Sequence, residues 1–202
     1  MTKELRFIET IRLVDGVPQL LPYHEQRIVR TLAEGGQRPP FVLFELVSAI
    51  IADCAQRLEG VYKLRFEYDA SAVYVPSCTP YKPREVRRLI PCPIDNLGVY
   101  CYKWAERSVL AVPSELQAEL DADPTAELIF TYEGRLTDTR YSNIVLRDAE
   151  GHWLTPDTPL LRGVMRQSLL DSGRIREAPL NSEDLAHCQA FRLINAMLPL
   201  EI

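Results

Sequence analysis

Three stretches of this 202-residue chain carry side chains that could serve one reaction. Lys103 stands between Tyr102 and Trp104. A lysine partly desolvated by aromatic neighbours has a lowered pKa and becomes a usable nucleophile towards a carbonyl. Asp138, between Thr137 and Thr139, offers a carboxylate on a strand. Thr158-Pro159 reads as the entry to a helix, with Thr158 as its cap, Pro159 at its first position and Gly163 near its start. Backbone N–H groups at such a start can receive a phosphate or another anion. Each feature also has a plainer reading: a surface lysine laid over a ring, a solvated carboxylate, a packing glycine. Arg27, on the first helix, reads as pairing with Glu34 or facing water. Residue types and spacing leave both sets of readings open.

Composition narrows the class. A net charge of -5 argues against a nucleic-acid surface and against polybasic contact with a membrane. No apolar stretch approaches the roughly 20 residues of a spanning helix, and Met1 to Arg12 alternates in character instead of following a signal pattern. Five cysteines (Cys54, Cys78, Cys92, Cys101, Cys188) make an odd number without a CxxC pair, so reduced thiols in a cytoplasmic protein are expected. His24, His152 and His187 read as structural or exposed, and no metal spacing connects them.

The elements that must position these residues follow from pattern and punctuation. LRFIETIRLV alternates, Asp15-Gly16 signals a hairpin, and VPQLL returns. Pro22 opens a helix closed by Gly35-Gly36. Phe44, Val47, Ile51, Cys54 and Leu58 recur at helical spacing, which predicts an amphipathic helix over 41–59. YKLRFEYD and AVYVPS read as strands, so the first part is a small two-layer α/β unit of order β-β-α-α-β-β over residues 1–78. Three prolines between Pro76 and Pro83 suggest a linker at 79–83. A second domain, 84–202, follows: a strand at VRRLIPCPI, then a helix striped by Val109, Val112, Leu116 and Leu120 just after Lys103. AELIFTY is a strand, Glu133-Gly134 turns, two strands meet at Ala149-Glu150-Gly151, and the Thr158-Pro159 helix follows. IREAPL, a short helix capped near Ser182 and the strand FRLINAMLPL complete the chain.

Five ordered blocks carry a likeness: FIETIRLVDGVPQLLPYHEQRI, YKWAERSVL, EGRLTDTRYSNIV, WLTPDTPLLRGVMR and LINAMLPL. Together they resemble the class IV (fold-type IV) pyridoxal-phosphate enzymes, which include branched-chain and D-amino-acid aminotransferases and aminodeoxychorismate lyase. The resemblance implies an α+β fold, with the small N-terminal domain, a barrel-like C-terminal domain, and pyridoxal 5'-phosphate at their junction. Relatives usually carry some twenty residues or more ahead of the block that here starts at Phe7, which makes this a compact version.

The resemblance also assigns roles. Lys103 becomes the lysine that forms the Schiff base with the cofactor and later moves the proton. Asp138 falls where the family sets a carboxylate, often Glu, against the pyridinium nitrogen, so that the ring stays protonated and can absorb electrons. Arg27 matches the arginine that holds the phosphate, and its planar fork suits that contact. Gly163, Val164 and Met165 match the helix start that receives the same phosphate; relatives often carry a hydroxyl at the Met165 position, so backbone donation serves here. Asn143 matches the family asparagine near the cofactor strands, with a turn-stabilising role as the alternative. Asn195 and Ala196 end the last strand near the phosphate.

Asn195-Ala196-Met197 and the ERS after Lys103 lean towards 4-amino-4-deoxychorismate lyase and folate biosynthesis. A branched-chain or D-amino-acid type aminotransferase is the alternative, and a cofactor-binding relative without turnover is a third reading. Arg12, Arg107 and Arg140 are candidates for holding a substrate carboxylate, each with a solvated-face alternative. The resemblance further implies a homodimer acting on a small amino substrate, without metal, nucleic acid or membrane.

Overall fold

The computed structural model describes residues 5–54 and 58–201. It divides into two units. The first holds Met1–Pro83 together with Tyr102–Glu106, and the second holds Arg84–Cys101 and Arg107–Ile202.

The first unit has the order read from the sequence: β1 (Phe7–Val14), β2 (Val17–Pro18), α1 (Leu21–Ala33), α2 (Leu43–Ala52), β3 (Val61–Tyr68) and β4 (Val73–Pro80). Its strands form one antiparallel sheet, β2-β1-β3-β4. Asp15 and Gly16 turn the β1–β2 hairpin with φ of 49° and 79°, the left-handed pair that such tight turns require. Alternation sets the faces. Ile11 and Leu13 of β1, and Leu64 and Phe66 of β3, are buried against Ile28 and Leu32 of α1 and Leu43 and Val47 of α2. Each such side chain contributes about 1.5–3 kcal/mol by leaving water.

Two expectations fail here. The helix expected over 41–59 runs only from Leu43 to Ala52; Cys54 N bonds back to Ile51 O in a tighter turn beyond Asp53. Phe44, placed on the buried stripe by its spacing, is exposed, and Leu43 takes the inward position instead. Part of the expected helix, residues 55–57, lies outside the described residues. The 79–83 stretch is also not wholly a connector, because Thr79 and Pro80 end β4 opposite Lys63 and Tyr62. Proline is tolerated there because an edge strand needs no N–H on its open side.

In the second unit, β5 (Arg88–Pro93), β6 (Ala126–Tyr132) and β7 (Arg135–Thr139) form one sheet. The other has the order β10 (Arg176–Ala178), β9 (Trp153–Pro156), β8 (Asn143–Arg147), β11 (Ala190–Ile194). β5–β6 and β9–β10 are parallel pairs, joined through the helices α3 (Ser114–Ala122) and α4 (Val164–Asp171). Ile129, Leu136, Ile144 and Leu146 form the core that backs β6, β7 and β8.

Two helix boundaries depart from expectation. The helix at Thr158-Pro159 does not start there: α4 begins at Val164 behind Gly163. Thr158 Oγ1 donates to Leu136 O at 3.0 Å, so its hydroxyl is spent on β7 instead of on a cap. The helix after Lys103 breaks into a 3₁₀ turn at Ser108–Leu110 and α3, because Pro113 excludes a continuous helix. α3 fully buries no residue: of the expected stripe, Val112, Leu116 and Leu120 are half-buried and Val109 is exposed. α5 (Ser182–His187) is capped by Asn181, whose side chain accepts from Glu183 N and Asp184 N while the Asp184 carboxylate accepts from Asn181 N.

Candidate active site

In the first unit, Lys103 is placed by its backbone. Ile8 N donates to Lys103 O at 2.9 Å, Ala105 N donates to Arg6 O at 2.8 Å, and Trp104 pairs with Phe7 in an antiparallel bridge. The rings of Phe7 and Trp104 stack with centroids 4.6 Å apart, and Tyr102 meets both rings edge-on. Residues 102–105 thus run along the start of β1, which is why they cluster with the first unit although their chain neighbours do not.

β1 also carries a residue the sequence reading passed over. Glu9 has no exposure, and three donors converge on it: Arg27 Nε at 2.8 Å, Arg27 Nη2 at 2.5 Å and His24 Nδ1 at 2.6 Å. Burial pushes the Glu9 pKa up, but the Arg27 and His24 partners outweigh it and hold the carboxyl far below its ordinary range. For His24 burial dominates and lowers the pKa, with the charges of Arg27 and Lys103 adding in the same direction against Glu9. The ring is therefore neutral and donates through Nδ1, and its buried Nε2 has no hydrogen-bond partner among the described residues. Arg27 itself is only 4% exposed. The signal for Glu9 lay in the strand pattern, since its parity with Ile11 and Leu13 buries a carboxylate that must then find a partner.

The second unit brings Asp138, Asn143 and Gly163 together. Asp138, at the end of β7, accepts from Asn143 Nδ2 at 2.7 Å and from Leu161 N at 2.8 Å. Asn143, at the start of β8, donates its second amide hydrogen to Leu161 O at 2.8 Å. Burial raises the Asp138 pKa to about 7, against the lowering effect of the Leu161 and Asn143 hydrogen bonds and the Arg166 charge. The carboxyl is therefore poised near neutrality, where a positive partner would draw it fully into the charged form. Gly163 caps α4 in extended conformation, and no side chain caps the helix or places an acid in its first turn. Val164 and Met165 are buried behind that start, whose N–H groups are those a helix leaves for an anion.

The other expected site residues have these partners. Asn195 donates to Ser142 Oγ at 2.8 Å and Tyr141 O at 3.2 Å, and accepts from Met197 N at 2.7 Å and Leu198 N at 3.1 Å. Its side chain is spent on locking the turn that carries the buried Ala196 to the loop after β7. Arg107 donates to the carbonyl of Arg140, and its guanidinium lies 4.6 Å from the Tyr141 ring and 5.5 Å from the Tyr100 ring. Arg140 donates to Glu127 at 2.6 Å, a buried carboxylate that also accepts from Arg84. Arg12, in the first unit, lies opposite Lys63 on β3, and its buried Nε has no partner among the described residues. No His/Cys/Asp/Glu group suited to a metal ion occurs among the described residues, and no helix there is long and apolar enough to cross a membrane.

Residues 111–200 match the family model described as amino-transferase class IV. Over 189 residues the chain is 28% identical to an uncharacterised Haemophilus influenzae protein, covering 94% of this chain and 96% of that one. Among solved structures it resembles a "putative 4-amino-4-deoxychorismate lyase" from Haemophilus somnus 129PT, at 29% identity and a TM-score of 0.82, over 99% of this chain and 100% of that one. A Mycobacterium tuberculosis "hypothetical aminotransferase", solved in a PLP-bound form, shares the fold at 18% identity and a TM-score of 0.72, over 96% and 78% of the two chains. Fold and ordered blocks agree with the family model matched over residues 111–200: the chain resembles the class IV aminotransferases, a family of pyridoxal-phosphate-dependent enzymes.

Proposed function

We propose that the protein is a 4-amino-4-deoxychorismate lyase, releasing pyruvate from its substrate to leave 4-aminobenzoate. The observation that carries this reading is the end-to-end likeness to the Haemophilus somnus protein. Asn195-Ala196-Met197 and the ERS after Lys103 point the same way.

The residues present fit pyridoxal 5'-phosphate. The start of α4 has no side-chain cap and no acid in its first turn, which suits a phosphate. Asp138 is buried with a pKa raised to about 7, which suits a protonated ring nitrogen. When bound, pyridoxal phosphate supplies the sink for the electron pair left by proton removal. Lys103 would hold it, and would then take the proton from the substrate carbon that bears the amino group. The ether C–O bond to the enolpyruvyl group breaks, the ring becomes aromatic, and the returned proton turns the departing enol into pyruvate. Asp138 would keep the ring nitrogen charged and the Gly163–Met165 backbone would receive the phosphate; by the family resemblance Arg27 would also serve the phosphate, and Arg12 and Arg107 would bind substrate carboxylates. We extend the reading to a cytoplasmic homodimer whose product feeds folate biosynthesis.

The test is direct. The purified protein is incubated with pyridoxal phosphate, reduced with borohydride and mapped by mass spectrometry, then supplied with aminodeoxychorismate and no keto acid. An adduct on Lys103 with pyruvate release is expected. An adduct without pyruvate, but with amino transfer to an added keto acid, would replace the lyase by an aminotransferase. No adduct at all would leave a relative without turnover.

A further inference from the structure

We propose that Asn143 is a positioning residue that fixes the Asp138 carboxylate to the start of α4, and that Gly163 is glycine to make room for it. The inference rests on the reading above, in which Asp138 faces the ring nitrogen and the α4 start receives the phosphate.

Both amide hydrogens of Asn143 are committed, one to Asp138 Oδ1 at 2.7 Å and one to Leu161 O at 2.8 Å. Leu161 N in turn donates to the other Asp138 oxygen at 2.8 Å. Asn143, Asp138 and Leu161 therefore close a ring of hydrogen bonds that joins β7, β8 and the loop two residues ahead of Gly163. The third polar atom, Asn143 Oδ1, points at Gly163, where an added Cβ would lie 2.1 Å from it. Real Cβ contacts do not reach that distance. The backbone of Gly163, with φ -68° and ψ 147°, is one any residue adopts. What excludes a side chain at 163 is the Asn143 amide, not the conformation. Without this amide, Asp138 would keep its backbone bonds from Leu161 and Leu160 but lose the side-chain bond to Oδ1. The other charged group acting on the carboxyl is Arg166, from α4 itself.

The arrangement makes Asn143 a bridge and not a contact of the cofactor. A bridge of this kind sets the ring carboxylate and the phosphate-receiving N–H groups at a fixed separation before any ligand arrives.

Two measurements on the cofactor-free full-length protein test the bridge, and one on the loaded protein tests its purpose. Thermal melting is compared for wild type, Asn143→Ala, Gly163→Ala and the double variant. Gly163→Ala alone should melt several degrees lower, whereas in the Asn143→Ala background the added methyl meets only Arg166 Cβ, at an ordinary 4.0 Å, and should cost almost nothing. Additive losses would overturn the contact, and a Gly163→Ala protein that fails to fold is decided by whether the double variant folds. The titration of Asp138 is then followed by carboxyl 13C NMR in wild type, Asn143→Ala and Asn143→Ser. Loss of a bond to the charged form should move its midpoint up by about one pH unit or more; an unmoved midpoint overturns the positioning role. Finally, pyridoxal phosphate should bind at least about tenfold more weakly to Asn143→Ala. Equal affinity would overturn the role in cofactor binding. A wild type that takes no cofactor would instead sink the proposed function, and the melting and titration results would still decide the bridge.

Discussion

Arg27 donates from Nε and Nη2 to the two oxygens of Glu9, at 2.8 and 2.5 Å, where neither side chain meets water to any extent. This fork-to-fork pairing fixes the plane of the guanidinium as well as its position. The residue expected to meet a phosphate is thus held from behind by a carboxylate on β1, with His24 bonded to the same Oε2 atom.

Removing that carboxylate's charge should be costly. Glu9→Gln leaves a buried guanidinium without its counter-charge, and breaking one partner of a buried pair costs about 3–5 kcal/mol. Urea unfolding of the variant should show a loss of that size, partly recovered in Glu9→Gln/Arg27→Met. A loss below about 1 kcal/mol would mean that the pair contributes little to folding.

The two buried carboxyls give opposite pH dependences. Glu9 is depressed below its ordinary 4.5, so the stability it contributes is present above that value and is lost as the pH falls through its folded pKa. Asp138 is raised from 3.8 to about 7, so its contribution is full below about pH 4 and is lost as the pH climbs through 7. Chemical denaturation of the cofactor-free protein should therefore show a stability maximum between these limits. Asp138→Asn should flatten the alkaline limb and Glu9→Gln the acid limb. Parallel profiles for all three proteins would refute the assignment.

Lys103→Ala should abolish the borohydride-stable adduct and lower turnover by at least about 10²–10⁴-fold, the range carried by a positioned proton-transfer group. Circular dichroism should stay unchanged, because β1 is bonded to the carbonyl of residue 103, which the substitution keeps. An adduct that persists would show that another lysine carries the cofactor.

Arg107→Gln should raise KM for a carboxylate substrate about 10–100-fold, the loss expected when a charge-assisted hydrogen bond goes. kcat should change little if the arginine only binds. Steady-state kinetics separates the two, and an unchanged KM would return Arg107 to packing between Tyr100 and Tyr141.

Local chemistry made much of this fold legible. Asp15-Gly16, the alternation of β1 and β3, and Pro22 near the helix start are near-neighbour signals, and the first unit follows them. What stayed hidden depends on partners far along the chain. Thr158 looked like a cap until Leu136 claimed its hydroxyl, and Leu161 N, free in any local reading, belongs to Asp138. Glu9 is the clearest case: its partners lie 15 and 18 residues away on another element. Periodicity could not show that Leu43 and not Phe44 turns inward, because both neighbours suit a helix.

The strip from Tyr102 to Glu106 has a consequence for any attempt to cut the chain. The first unit is discontinuous: its sheet receives a piece that is translated after eighteen residues of the second unit, Arg84–Cys101. A fragment ending at Pro83 would leave Ile8 N without its acceptor and the Phe7 ring without Trp104. It would present a bare, apolar strand margin, the template on which chains stack into aggregates. During synthesis the same margin stays open until residue 105 emerges.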